Sequence, residues 1–193
     1  MKSKINKFIE SAVQNYTCVL QDDILQDNIQ QIVTKSIKAF RSDKKMLLCG
    51  NGGSASDAQH IAAELSGRFY TDRPPLYAEA LHVNSSYMTA VANDYGYETT
   101  YARMVEAAGR EGDILIGIST SGNSPNVVMA MQKAKEIGMI AVGFTGKSGG
   151  EMKDICDIMI CIRSEDTPRI QEAHILIGHI ICQLIEQEMF PNA

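Results

Sequence analysis

The chain has 193 residues, 45% of them hydrophobic and 21% charged, with a formal net charge of -5. That is enough for one domain with a sizeable core, and there is no basic field to hold a nucleic-acid backbone. Its five cysteines, Cys18, Cys49, Cys156, Cys161 and Cys182, are odd in number and never form CxxC pairs, which fits a reducing cytoplasm.

Residues 1–10 lack the continuous apolar core of a signal peptide, and no stretch approaches the roughly 18 consecutive apolar residues of a membrane span. The expectation is a cytoplasmic protein that engages neither membrane nor nucleic acid. Ile5, Phe8, Ile9, Ala12, Val13, Tyr16, Val19 and Leu20 recur at helical spacing, and Leu25, Ile29, Ile32, Val33, Ile37 and Phe40 repeat the pattern. Two amphipathic helices therefore open the chain. Short apolar runs follow at 46–49, 114–118, 139–144 and 158–162, separated by helical segments. This alternation predicts a mostly parallel sheet with helices on both faces, in which ligands bind at the loops leaving the carboxyl ends of the strands. A last helix over about residues 167–188 carries Ile175, Leu176, Ile177, Ile180, Ile181, Leu184 and Ile185 around most of its circumference. Such a helix is central or lies in an oligomer interface.

Two loops follow predicted strands. In Gly50-Asn51-Gly52-Gly53-Ser54-Ala55-Ser56-Asp57, glycines stand where backbone must turn sharply, and Ser54 is a possible N-cap with Asp57 three residues on. The loop is either a ligand approach or a plain tight turn. Gly50, Gly52 and Ala55 also satisfy GxGxxA, but the acidic residue a dinucleotide site needs would be Asp72, which stands among Arg73, Pro74 and Pro75 rather than at a strand end. In Ser119-Thr120-Ser121-Gly122-Asn123-Ser124-Pro125, hydroxyls surround a predicted helix N-terminus with Ser124 as N-cap and Pro125 at the first helical position. Free N–H groups, the positive dipole end and hydroxyl donors together suit a phosphate. The segment 143–148 imitates a P-loop but has two residues between its glycines where that motif has four.

His60 and Glu64, four apart on the helix that leaves the first loop, project from one face, with Arg68 a turn further. The spacing suits two ligands of one metal ion, or an acid/base carboxylate oriented by its neighbour, as well as an ordinary exposed pair. In the last helix, Thr167 is a candidate cap before Pro168. His174, like His82, reads as a hydrogen-bonded core histidine, while His179 is open to either a core or a functional role.

Taken together, Gly50-Asn51-Gly52-Gly53-Ser54, His60 with Glu64, Asn93-Asp94, the 119–124 hydroxyl loop, and Arg169-Ile170-Gln171-Glu172 through His179 resemble the sugar isomerase (SIS) domain of the phosphoheptose isomerases over essentially the whole chain. The resemblance implies a single SIS domain over 1–193, a three-layer αβα fold with a flavodoxin-like sheet, residues 1–42 forming an N-terminal helical hairpin and 43–193 a phosphosugar-binding core. It implies an aldose–ketose isomerase acting on sedoheptulose 7-phosphate through an enediol, in a homotetramer with sites at subunit interfaces and one zinc per subunit. By that analogy Glu64 and His179 are the acid/base pair, and His60, Glu64, Gln171 and His179 hold the metal. Asn51, Gly52, Gly53, Glu64, Asn93, Asp94, Ser119, Thr120, Ser121, Ser124 and Gln171 bind substrate. A rival within the same fold is a non-catalytic tetramer that binds a replication-initiation protein; Glu64, Gln171 and His179 favour the enzyme. Gln171 and His179 are about 12 Å apart along a helix and some 80° apart around it. Either the helix is distorted near Gly178, or one of the two groups serves a neighbouring subunit's site.

Overall fold

A computed structural model describes residues 1–191. The four apolar runs form strands, Met46–Gly50 (β1), Ile114–Ile118 (β3), Ile140–Thr145 (β4) and Ile158–Cys161 (β5), and a short strand Ala78–Ala80 (β2) joins them. All four strand pairings are parallel, in the order β2-β1-β3-β4-β5. This is the flavodoxin-like order, whose switch point lies between β1 and β3. Every residue of β1 and β3 is buried, as expected of strands covered on both faces.

Among the described residues seven helices surround the sheet: Lys2–Leu20 (α1), Asp23–Arg41 (α2), Gly53–Ser66 (α3), Ser85–Tyr95 (α4), Thr100–Ala108 (α5), Pro125–Ile137 (α6) and Thr167–Met189 (α7), with 3-10 turns at Tyr97–Thr99 and Gly150–Asp154. Strand alternation sorts the core into two clusters. Met46, Leu48, Ile116 and Phe144 face α2, α3 and α7, whereas Leu47, Cys49, Leu115 and Ala141 face α5 and α6. Each fully buried Ile, Leu or Phe contributes about 1.5–3 kcal/mol, so these clusters carry the fold.

Three local expectations need correction. The cap of α3 is Gly52, and Ser54 is buried inside the first turn. The cap of α7 is Asp166, with Thr167 already helical. His82 is half-buried and its Nδ1 has no partner; burial alone pushes its pKa down. The expected N-cap Ser124 and Pro125 at the start of α6 are observed, although the serine side chain makes no capping bond.

Helix α7 is central: it packs against α1, α2 and α3, burying Ile170, Ala173, Ile177, Ile181 and Ile185. Helix α1 behaves differently. Its apolar stripe, Ile5, Phe8, Ile9, Val13 and Leu20, is exposed, and its one buried residue is Asn15, whose amide donates to Arg169 O. Among the described residues no helix is long and apolar enough to cross a membrane.

His174 is fully buried, its Nε2 donating to Thr145 O at 3.1 Å while Nδ1 lacks a partner. Burial lowers its pKa from 6.5 to about 4 against the opposing pull of the Thr145 carbonyl. Between these values the unfolded chain binds a proton that the folded chain refuses, so stability falls as pH drops from 6.5 towards 4 and then levels off. This effect reaches about 3 kcal/mol over the whole window. Urea unfolding at pH 7.5 and 4.5 is expected to show a smaller pH-dependent loss for His174→Gln than for the wild-type protein; equal losses would refute the assignment.

Candidate active site

The loops after β1 and β3 flank the switch point, and both are built from small and hydroxyl residues. After β1, Gly52 adopts φ 55°, a conformation open to glycine, and caps α3. A Cβ on Gly53 would lie 2.6 Å from Gln171 Nε2, so the missing side chain is what lets Gln171 lie against the loop. Asn51 Nδ2 donates to Asn126 Oδ1 and Asn126 Nδ2 donates back to Asn51 Oδ1, each at 2.9 Å. Asn51 Oδ1 also accepts from Tyr97 Oη at 3.1 Å, and Asn126 Oδ1 from the Val127 N–H at 3.0 Å. This reciprocal amide pair ties the glycine loop to the first turn of α6.

After β3, Ser119 Oγ lies 2.9 Å from Ser124 Oγ and 3.4 Å from Ser121 Oγ. Ser119 is buried, Thr120 and Ser124 are half-buried and Ser121 is exposed, giving a graded hydroxyl rim around the N-terminus of α6. Residues 146–152 brace it. Gly146 N–H donates to Thr120 O, Met152 N–H to Gly122 O, and Glu151 N–H to Asn123 Oδ1. A rigid cradle of hydroxyls at a helix N-terminus is suited to phosphate.

A second group of side chains lies further along α3. His60 Nε2 is 3.1 Å from Glu64 Oε1 and 3.5 Å from His179 Nε2, and the ligand atoms of all three residues lie within 4.8 Å of one another. Helix α7 passes Gly178 without a break, and a Cβ there would lie 2.6 Å from Ile61 Cδ1. Gly178 is therefore the close-packing point that brings His179 to His60, rather than a kink. Phe69 closes one side, its ring centroid 5.7 Å from that of His179. One turn before His60, Asp57 has a buried, unpartnered Oδ2, and burial raises its pKa against the pull of His60.

Three ligand atoms converge here at a partly exposed point, where the single hydrogen His60 Nε2 can carry is directed either at Glu64 or at His179. The three together would hold a cation. Two imidazoles and a carboxylate at this separation match the donor set of a zinc site that keeps a position open. Gln171 packs at the start of α3. It lies beside Gly53, about 10 Å along α3 from His60. Asn93 and Asp94 are exposed on the last turn of α4, bonded to each other at 2.8 Å, and no contact joins them to the trio.

The sequence profile of the SIS domain matches residues 8–146. The chain is 53% identical over 190 residues to the phosphoheptose isomerase of Clostridium acetobutylicum, covering 98% of this chain and 97% of that protein. This chain belongs to the phosphoheptose isomerase family. It is also 50% identical over 192 residues to the family member from Aneurinibacillus thermoaerophilus, covering 100% of this chain and 97% of that protein. The structure of a phosphoheptose isomerase from Francisella tularensis superposes with a TM-score of 0.92 at 37% identity, over 96% of this chain and 97% of that one.

Asn126 and Tyr97 were not singled out from sequence, since neither carries a motif, and only the switch-point geometry brings them to Asn51. Removing the Asn126 amide leaves Asn51 Nδ2 without its partner and Asn51 Oδ1 with Tyr97 alone, a loss of about 1–3 kcal/mol. Asn126→Ala is expected to lower stability by that amount in urea unfolding and to weaken sugar-phosphate binding in titration calorimetry. Unchanged affinity would separate the amide pair from the phosphate cradle.

Proposed function

We propose that this phosphoheptose isomerase family member interconverts sedoheptulose 7-phosphate and D-glycero-D-manno-heptose 7-phosphate through an enediol, as a zinc-dependent cytoplasmic homotetramer that supplies heptose for surface glycans such as lipopolysaccharide or capsule. The carrying observation is the convergence of His60, Glu64 and His179 within 4.8 Å on a scaffold that also holds a hydroxyl cradle at the switch point.

The chemistry divides between these two places. Ser119, Thr120, Ser121 and Ser124, with the α6 N-terminus, hold the phosphate and fix the sugar's position, so that proton transfer occurs within a bound complex. Glu64 and His179 move the proton between C1 and C2 and between their oxygens. Glu64 presents Oε1 to His60 and keeps Oε2 without a protein partner among the described residues, free to act as the base. Zinc, held by His60, Glu64 and His179, would polarise the substrate oxygens and stabilise developing negative charge.

One chain separates the parts of this site. Gln171 lies at the start of α3, beside the glycine loop that the Asn51–Asn126 pair ties to the cradle, and the trio begins about 10 Å further along the helix. With α7 unbroken, the arrangement that unites them is a neighbouring subunit supplying one part. The outward apolar stripe of α1 supports this, since Ile5, Phe8, Ile9, Val13 and Leu20 form a face that a second copy would cover. Gln171 then meets the metal and the substrate of an adjacent subunit.

Purified protein incubated with sedoheptulose 7-phosphate and followed by NMR is expected to yield the aldoheptose phosphate. Glu64→Gln and His179→Ala should each reduce turnover by about 10²–10⁴-fold. A chelator should abolish it, and zinc restore it. Full activity in metal-free protein would overturn the zinc assignment, and no turnover from folded tetramer would return the non-catalytic binding role. In a separate test, co-expressed Gln171→Ala and His179→Ala subunits should regain part of the lost activity, because mixed tetramers contain sites with both groups intact. No recovery would mean that each site is built from one chain.

A further inference from the structure

Among the described residues outside the trio stands a buried ion pair, Arg73 with Glu186, whose side chains are 0% and 4% exposed. Arg73 Nε donates to Glu186 Oε2 at 3.0 Å. Its Nη2 donates to Glu64 O at 2.8 Å, and its Nη1 to Leu65 O at 2.7 Å, with longer contacts to Gly67 O and Pro74 O. On the other side, Glu186 Oε1 accepts the N–H groups of Tyr70 and Thr71 at 2.9 and 3.1 Å, and Oε2 that of Phe69 at 3.2 Å. Arg73 thus caps the carbonyl end of α3 in the turn that carries Glu64. Glu186 stands two turns beyond His179 on nearly the same face of α7. It also clamps the strap 69–71, which presents Phe69 to the His179 ring.

We propose that Arg73 and Glu186 are positioning residues of the isomerase site: together they lock the end of α3 to α7 and seat Phe69, which holds Glu64 and His60 in register with His179. The proposal rests on the reading of that trio given above. Stability alone does not call for this pair, because a buried ion pair replaced by apolar residues of similar volume is often neutral or more stable. Apolar residues cannot reproduce the bonds to α3 carbonyls and strap amides, and those bonds set the geometry. Displacement of a site by about 1 Å lowers turnover by about 100-fold, and loss of outer partners of a metal site typically lowers activity by about 10–100-fold. The phosphate cradle is on other loops, so substrate affinity should be spared.

The test compares Arg73→Met/Glu186→Leu and Arg73→Lys with wild type by thermal unfolding, by kcat and KM for the heptose phosphate, and by NMR of the imidazole signals. The four histidines make His82 and His174 internal controls. The double variant is expected to fold, to lose about 10–100-fold in kcat with KM within about threefold, and to shift the His60 and His179 signals while leaving the controls in place. Arg73→Lys keeps the charge but loses the fork, and should show a smaller loss of the same kind. Folded variants with kcat within about twofold of wild type would overturn the proposal. So would a shift shared by all four histidines, or failure of both variants to fold, since either makes the pair a general stability element. If wild-type protein does not turn over the sugar, the isomerase reading fails alone, and the His60 and His179 signals still decide whether the pair positions the trio.

Discussion

The closeness of α7 to α3 is the constraint on which the site depends. Gly178 removes the one Cβ that would strike Ile61, and Gly53 makes room for the Gln171 amide at the other end of the same contact. Between these points the two helices run side by side, so residues of α7 are matched along α3: Gln171 to the glycine loop, His179 to His60. A larger side chain at either glycine would force apart side chains packed at native density. The trio therefore owes its spacing to backbone approach, with Arg73 and Glu186 bonding the far end.

The second organising feature is the switch point. Because β1 and β3 are neighbours whose following helices lie on opposite faces, their loops open away from each other and leave a crevice. The Asn51–Asn126 amide pair spans that crevice, and the 146–152 segment supports the hydroxyl loop from the other side. Polar side chains this deep in a protein are costly unless fully paired. Here their pairing joins the two loops to one another, so the hydroxyl cradle is preorganised by the same bonds that satisfy these amides.

These two features lie at different places on one subunit, and the exposed apolar stripe of α1 is the part of the surface least accounted for by the chain's own core. The placement of Gln171 at the start of α3 and the uncovered hydrophobic face on α1 are the two independent observations behind the proposed assembly. The central position of α7, touching α1, α2 and α3 at once, ties α1 to the trio through one helix.

The residue pattern by itself determined the architecture. Parallel strands buried on both faces must be continuous apolar runs, so β1, β3, β4 and β5 were legible, as were the amphipathic helices and the hydroxyl-rich start of α6. β2 was not, because Ala78-Glu79-Ala80 is a three-residue edge strand with no apolar run to mark it. Ser54 and Thr167 looked like caps, but backbone geometry gave those positions to Gly52 and Asp166. His60 and Glu64 could be paired from sequence because helical spacing is local. That His179 joins them, that Gln171 lies against Gly53, and that Arg73 meets Glu186 across 113 positions were decided only by tertiary packing. Spacing along a chain constrains neighbours within a helix or strand, whereas contacts between distant elements depend on how their surfaces fit.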